Sequence, residues 1–350
     1  LLTPWNHPVL ILVKKMGAAL AAGNTCVVKP SELTPVSPLV LAALATEAGL
    51  PDGVVNVVTG GPQTGAALCV PPDIHYIDLT GGTTTGRKVA AVAGERLVRT
   101  TMELGGKTPV LVCQDADLDG AIAGGLFSAF VASGQTCVSG ARFIVHRDIY
   151  DVFVTGISAR ADAITLGDPM ADTTQMGPVI SKASQDRCKR MIATAKADGA
   201  MQVAGASDPN LPAPFDQGFY IRPTIFKDVR PEQELFLEEV FGPVISITPF
   251  DTEEEALALA NMGTFGLGVS IWSRDIARAH RLSLGIRGGV VWLNDHHRND
   301  PRSIWGGVRD SGFGKENGWD ALKAYMTKKS VIVRTAQGHD DWFAGSNRYG

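Results

Sequence analysis

The chain has 350 residues, 45% hydrophobic and 19% charged, which is long enough for two domains and ordinary for a soluble globular protein. A formal net charge of −4 leaves no electrostatic footprint for nucleic acid or anionic lipid. Cys26, Cys69, Cys113, Cys137 and Cys188 are an odd, widely spaced set without a CxxC, which excludes a disulfide framework and a zinc site and points to a reducing, cytoplasmic compartment.

In chain order, the first hundred residues alternate helix and strand. Leu1 to Asn6 carry no secretory signal and no initiator Met, and they lead at once into core-like sequence, as though the chain began inside a fold. Residues 8–22 read as an apolar helix opened by Pro8 and closed by Gly23. A strand at 25–29 runs into Lys29-Pro30-Ser31-Glu32, and Ser37-Pro38 caps a second helix closed by Gly49. Strands follow at 54–58, 74–79 and 96–103, the second of them running into the Gly-rich turn from Thr80 to Gly86 and a further helix. Near-continuous apolar strands separated by helices predict an α/β fold, a doubly wound parallel sheet covered on both faces. Ligands of such sheets sit at the carboxyl ends of the strands, where Asn6, Lys29, Glu32, the Gly81–Gly86 turn and Glu103 fall.

A second α/β unit follows Lys107. Strands are expected at 109–113, 142–145, 220–225, 244–250, 269–272 and 290–293, with helices at 117–130, 150–163, 181–198 and 252–261. Residues 120–141 contain no charge, but Ser128, Ser133, Gln135, Thr136 and their glycines suit a buried segment better than a membrane span. Residues 205–218 read as a surface excursion, residues 329–334 as a last strand, and the polar tail from Thr335 as poorly ordered.

Two stretches carry chemistry. Gly134-Gln135-Thr136-Cys137 sets a cysteine beside glycine with no aliphatic wall, and Glu103-Leu104-Gly105-Gly106-Lys107 ends a β-rich run on a glutamate. One suits a nucleophile and the other its base; a buried thiol and a solvated strand-end carboxylate are the plainer readings. Together with Pro4-Trp5-Asn6, Lys29-Pro30-Ser31-Glu32, Thr80–Gly86, Glu238-Glu239-Val240-Phe241-Gly242-Pro243, Trp305-Gly306-Gly307 and Ser311-Gly312-Phe313-Gly314, they resemble the aldehyde dehydrogenase superfamily, in family order. Family chains normally carry a substantial segment before Pro-Trp-Asn that is absent here.

The resemblance implies a Rossmann-like NAD-binding domain over 1–104, a second α/β catalytic domain over 105–310, a return segment over 311–328, a short oligomerisation strand over 329–334 and a tail over 335–350. It implies that a Cys137 thiolate attacks the aldehyde carbonyl, that the Asn6 amide and Cys137 N–H hold the oxyanion, and that Glu103 deprotonates the water that hydrolyses the thioester. Lys29 and Glu32 would grip the adenosine ribose, the carboxylate favouring NAD over NADP, and Gly81, Gly82 and Gly86 would bring a helix N-terminus to the pyrophosphate. Gly82 stands where the family usually has serine. Glu239 would hold the nicotinamide ribose and Phe241 would pack near the nicotinamide.

For the substrate pocket the resemblance nominates Thr136, Val138, His297, Arg298, Asn299 and Trp305. Arg298 suits a semialdehyde carboxylate and Trp305 a cationic or aromatic substrate, while a solvated loop tip explains His296, His297 and Arg298 equally well. Two adjacent histidines without a third ligand do not make a metal site. A CoA-acylating enzyme and a non-catalytic member of the fold remain alternatives; an unrelated cysteine hydrolase would need a histidine beside Cys137, and the sequence nominates none. The partners implied are a small aldehyde and further copies of the chain, as a homodimer or homotetramer.

Overall fold

A computed structural model describes residues 1–335, 337, 338 and 343. The first half holds α1 (Pro8–Ala21), β1 (Cys26–Val28), α2 (Val36–Glu47), β2 (Val55–Val57), α3 (Pro62–Leu68), β3 (Tyr76–Thr80), α4 (Thr83–Glu95) and β4 (Arg99–Glu103). The second runs through β5 (Thr108–Val112), α5 (Leu118–Phe130), β6 (Gly140–His146), α6 (Arg147–Asp162), α7 (Lys182–Ala197), β7 (Met201–Ala204), β8 (Thr224–Lys227) and α8 (Glu234–Leu237). It continues with β9 (Val244–Phe250), α9 (Glu253–Ala260), β10 (Gly268–Trp272), α10 (Ile276–Gly285), β11 (Val290–Leu293), β12 (Gly312–Phe313) and α11 (Gly318–Ala324).

Two parallel layers organise these elements. β1 pairs with β2 and β3 with β4, each in parallel, and Leu2 bridges both Lys29 and Leu79. The first residues therefore lie between β1 and β3 and stitch the two pairs together. Leu2 N–H donates to the Asp78 carbonyl and Thr80 N–H to the Leu2 carbonyl, so no buried backbone group there is left open. β12 adds antiparallel to β4, setting Gly312 opposite Glu103. The second layer has seven strands in the order β11-β10-β5-β6-β9-β8-β7, parallel except for β7. Its central strands are buried along their length, with one apolar core around Leu111, Ile144, Phe226 and Phe236 and another around Val110, Phe143, Phe153 and Ile247. That double burial is why these strands read as unbroken apolar runs.

Three expectations need correction. α2 begins at Val36, with Pro35 in the cap position, and Ser37 makes no cap hydrogen bond. The expected strand at 220–225 lies further on, at Thr224–Lys227, because residues 220–223 only approach the sheet. Residues 329–334 form no strand, and Val331, Ile332 and Val333 are exposed. A strand needs a neighbouring edge to bond to, and among the described residues no strand pairs with this run. The expected tail lies outside the described residues except for 335, 337, 338 and 343. Among the described residues no helix is long and apolar enough to cross a membrane.

α1 carries a feature that its apolar pattern conceals. Lys15 is buried on the same face as Ile11, Leu12, Met16 and Ala19. Its ammonium contacts the Asp78 carboxylate and lies 2.6 Å from Glu316 Oε1, while Tyr325 donates to Asp78 Oδ2 at 2.5 Å. Burial alone would lower the Lys15 pKa, but the two carboxylates hold it above its usual value. Lys15→Met leaves Asp78 buried without its cation and Glu316 with Lys14 alone, and a loss of about 3–5 kcal/mol is expected in urea unfolding at pH 7.

Candidate active site

The cysteine sits on an unusual piece of backbone. After α5, three successive residues, Ala132, Ser133 and Gly134, take positive φ values of 50°, 57° and 69°. For the two that are not glycine such a conformation costs on the order of 1–3 kcal/mol each, so neighbours must enforce it. Ser133 Oγ donates to the Gly177 carbonyl at 2.9 Å, and Gln135 Oε1 accepts from Ile180 N–H at 2.9 Å. The Asn6 side-chain amide donates to the Gln135 carbonyl at 2.9 Å. Its second N–H has no hydrogen-bond partner among the described residues.

The two glycines after Glu103 explain themselves by what they touch. A Cβ on Gly105 would lie 2.5 Å from Glu239 Oε2, and one on Gly106 2.4 Å from the Cys137 carbonyl oxygen. The Glu103 loop is thus wedged between the cysteine loop and Glu239, whose Oε1 accepts from Gly106 N–H at 2.7 Å. Gly106→Ala is expected to cost about 1–3 kcal/mol in denaturant unfolding and to depress kcat, because the added methyl pushes the cysteine backbone away.

Cys137, Glu103, Thr136, Val138, Trp305 and Glu316 line one cavity of about 40 Å³, with His7, Lys14, His297 and Asn299 on its remaining walls. Glu103 is buried at 3% exposure, and neither carboxylate oxygen has a hydrogen-bond partner among the described residues. Burial, reinforced by the Glu316 charge, pushes its pKa well above the carboxylate range. Glu316 itself is held low by Lys15 and Lys14 against its own burial, with Lys14 Nζ 2.9 Å from Oε2. Burial first, then Glu103 and Glu239, push the Cys137 thiol up to about 12. This corrects the expectation of an electropositive cysteine: at rest Cys137 is a thiol among acids and needs a base to ionise.

The residues expected to hold a dinucleotide lie at the strand ends. Lys29 is buried at the end of β1 with Nζ 3.2 Å from Glu32 Oε2, and the Glu32 side chain is half exposed. Gly82 is the N-cap of α4, which has no side-chain cap; a Cβ there would meet nothing within 4 Å. Gly81, just before it, donates its N–H to the Glu103 carbonyl at 3.0 Å. An uncapped, open helix N-terminus preceded by Gly81 fits a pyrophosphate. Gly86 does not: it is buried, a Cβ there would come within 2.4 Å of Leu104, and its role is to let α4 approach the strand layer. Glu239, raised to about 7 mainly by burial, and Phe241, edge-on to Trp5 at 5.4 Å, border a second hollow beside Gly106 and Thr136.

Of the pocket nominations, Thr136, Val138, His297, Asn299 and Trp305 reach the cavity. Arg298 does not: it is exposed and paired with Asp295 at 2.7 Å. His296 is buried against Trp292, its Nε2 2.8 Å from the Val138 carbonyl. Sequence reasoning missed His7, Lys14, Lys15 and Glu316. The signal was present in Lys14-Lys15 inside an apolar helix and in a glutamate two residues beyond a recognised Gly-Phe-Gly.

The family model described as "Aldehyde dehydrogenase family" matches residues 1–331, and the chain belongs to that family. Its reaction is accordingly that of an aldehyde dehydrogenase, the oxidation of an aldehyde. It is 44% identical over 329 residues to a betaine aldehyde dehydrogenase of Sinorhizobium fredii, covering 94% of this chain and 67% of that one. A betaine aldehyde dehydrogenase of Agrobacterium fabrum is 42% identical over 333 residues, with 95% and 67% covered. Among solved structures, an aldehyde dehydrogenase from Bacillus cereus is 39% identical with a TM-score of 0.92, over 95% of this chain and 67% of that one. The NAD+ complex of betaine aldehyde dehydrogenase from Staphylococcus aureus is 33% identical with a TM-score of 0.95, over 98% and 68%. The chain spans about two thirds of the length of these relatives.

Proposed function

We propose that Cys137 is the nucleophile, Glu103 the general base and Asn6 an oxyanion donor of this reaction. The observation that carries the reading is the shared cavity of Cys137 and a Glu103 carboxylate with no partner among the described residues. The Cys137 thiol gives its proton to a neighbouring carboxylate, and the sulfur adds to the aldehyde carbon as the carbonyl electrons move onto oxygen. The free N–H of Asn6 and the Cys137 backbone N–H stabilise that oxyanion. NAD, when bound, supplies the hydride acceptor that leaves the acyl group on Cys137 as a thioester. Glu103 in its deprotonated form then takes a proton from water as the water oxygen attacks the thioester carbon; the C–S bond breaks, the carboxylic acid leaves, the Cys137 sulfur takes its proton back from the carboxylate that first received it, and Glu103 gives up its own proton to solvent. NADH absorbance with propanal, benzaldehyde and betaine aldehyde, for wild type and Cys137→Ala, tests the reading; turnover that survives in the variant contradicts it.

Lys29, Glu32, Gly81, Gly82, Glu239 and Phe241 would line the dinucleotide path, with the division at residue 104 separating the nucleotide half from the catalytic half. Glu103 on the cavity wall favours water over CoA as acyl acceptor, since water, a far weaker acid and nucleophile than a thiol, depends more on an adjacent base. Free cysteines throughout the described chain suit a reducing, cytoplasmic setting. The exposed Val331-Ile332-Val333 run, flanked by Lys328, Lys329 and Arg334, supports a homodimer or homotetramer in which it adds to a sheet edge of a second copy. Betaine aldehyde is the substrate named for the relatives, and the pocket of this chain differs from what that cation would require, as follows.

A further inference from the structure

We infer that this active site is built for a short aldehyde bearing an uncharged hydroxyl group, held by His7 and His297, and that it disfavours the trimethylammonium aldehyde of its relatives; the inference rests on the reading of Cys137 as nucleophile. His7 at the start of α1 and His297 in the loop after β11 both line the cavity that holds Cys137 and meet there as neighbours, edge to face with their ring centroids 6.1 Å apart. Both Nε2 atoms are buried and have no hydrogen-bond partner among the described residues, and so is Thr136 Oγ1 on the same wall. Three buried polar atoms without partners, all on residues that line one small cavity, are costly until a ligand bonds to them. Burial keeps both imidazoles below their ordinary pKa, hence neutral near pH 7, each with a donor and an acceptor nitrogen. A hydroxyl, which donates and accepts, satisfies either tautomer.

The charged alternatives fit less well. A quaternary ammonium group needs an open aromatic face. The face of Trp305 is already covered by Lys14, whose Nζ lies 4.5 Å from the ring centroid. A carboxylate would need an uncommitted cation, and Lys14 is paired with Glu316 at 2.9 Å.

The test is a matched series in which OH replaces CH3: glycolaldehyde against propanal, 3-hydroxypropanal against butanal, and 4-hydroxybutanal against pentanal, with betaine aldehyde alongside. At least one hydroxyaldehyde should exceed its alkanal partner in kcat/KM by about 10-fold or more, since the alkanal leaves buried polar atoms unpaired. His7→Leu or His297→Leu should reverse that ratio. Alkanals equal to or better than their partners throughout in wild type, betaine aldehyde as the best substrate, or a preference that survives both substitutions would each overturn the inference. These outcomes are separate from failure of the nucleophile assignment, which shows as oxidation that persists in Cys137→Ala. Oxidation of no aldehyde at all overturns both.

Discussion

Cys137→Ala is expected to lower kcat for aldehyde oxidation by about 10⁴-fold or more while leaving NAD bound with near wild-type affinity. The magnitude follows from the covalent route: once the sulfur is gone there is no adduct from which the acyl product forms, and removing a nucleophile that works as part of a unit forfeits nearly all of the acceleration. Binding should survive because the groups proposed to hold the dinucleotide, around Glu32, Gly82 and Glu239, belong to other segments of the chain. An alanine there also removes only one sulfur atom, so it leaves no large cavity. NADH absorbance and quenching of tryptophan fluorescence by NAD measure the two properties. Retained turnover, or loss of turnover together with loss of NAD binding, would contradict the assignment.

Glu103→Gln should have the second-largest effect, a fall of about 10²- to 10⁴-fold in steady-state kcat, and it should change the pH profile. A base works deprotonated, and burial together with Glu316 raises the Glu103 pKa. The wild-type rate should therefore climb as pH rises through that raised value, and the climb should vanish in the glutamine variant. Stability should move the other way. A folded-state pKa above the unfolded value of about 4.3 means that the contribution of Glu103 is fully present at lower pH and is lost as pH rises through the folded pKa. Glu103→Gln should then melt at a higher temperature than wild type at pH 8, with the difference shrinking toward pH 5. Equal melting temperatures at both pH values would show that the carboxyl is not desolvated.

Much of the architecture was legible because strands buried on both faces write their burial as continuous apolar runs; β9 was read to the residue. β7 and α10 were not, for different reasons. β7 is an edge strand of four residues with an exposed Met201, so its sequence carries no apolar run. α10 places only Ala279 and Leu282 in the core, and its clearest mark is Asp275, which accepts from the N–H groups of Ala277 and Arg278. The strand read at 329–334 shows the converse: β-branched residues announce a propensity, but pairing depends on an edge the local sequence does not specify.

The site was legible where a motif fixes the backbone and illegible where side chains meet from distant segments. Glu103 and Cys137 were found from their glycines, which serve close approach. Glu316 lies 213 positions beyond Glu103, and no local pattern links the two carboxylates. The charge state of Cys137 was misread for the same reason, since Glu103, Glu239 and Glu316 assemble around it only in three dimensions.

The most direct test traps the acyl group. Glu103→Gln is mixed with NAD and either propanal or glycolaldehyde, quenched in acid, digested and analysed by peptide mass. Cys137 is expected to carry the acyl group of the aldehyde supplied, at close to one per chain, with a matching burst of NADH. An unmodified Cys137 peptide from protein that has formed NADH would contradict the thioester route.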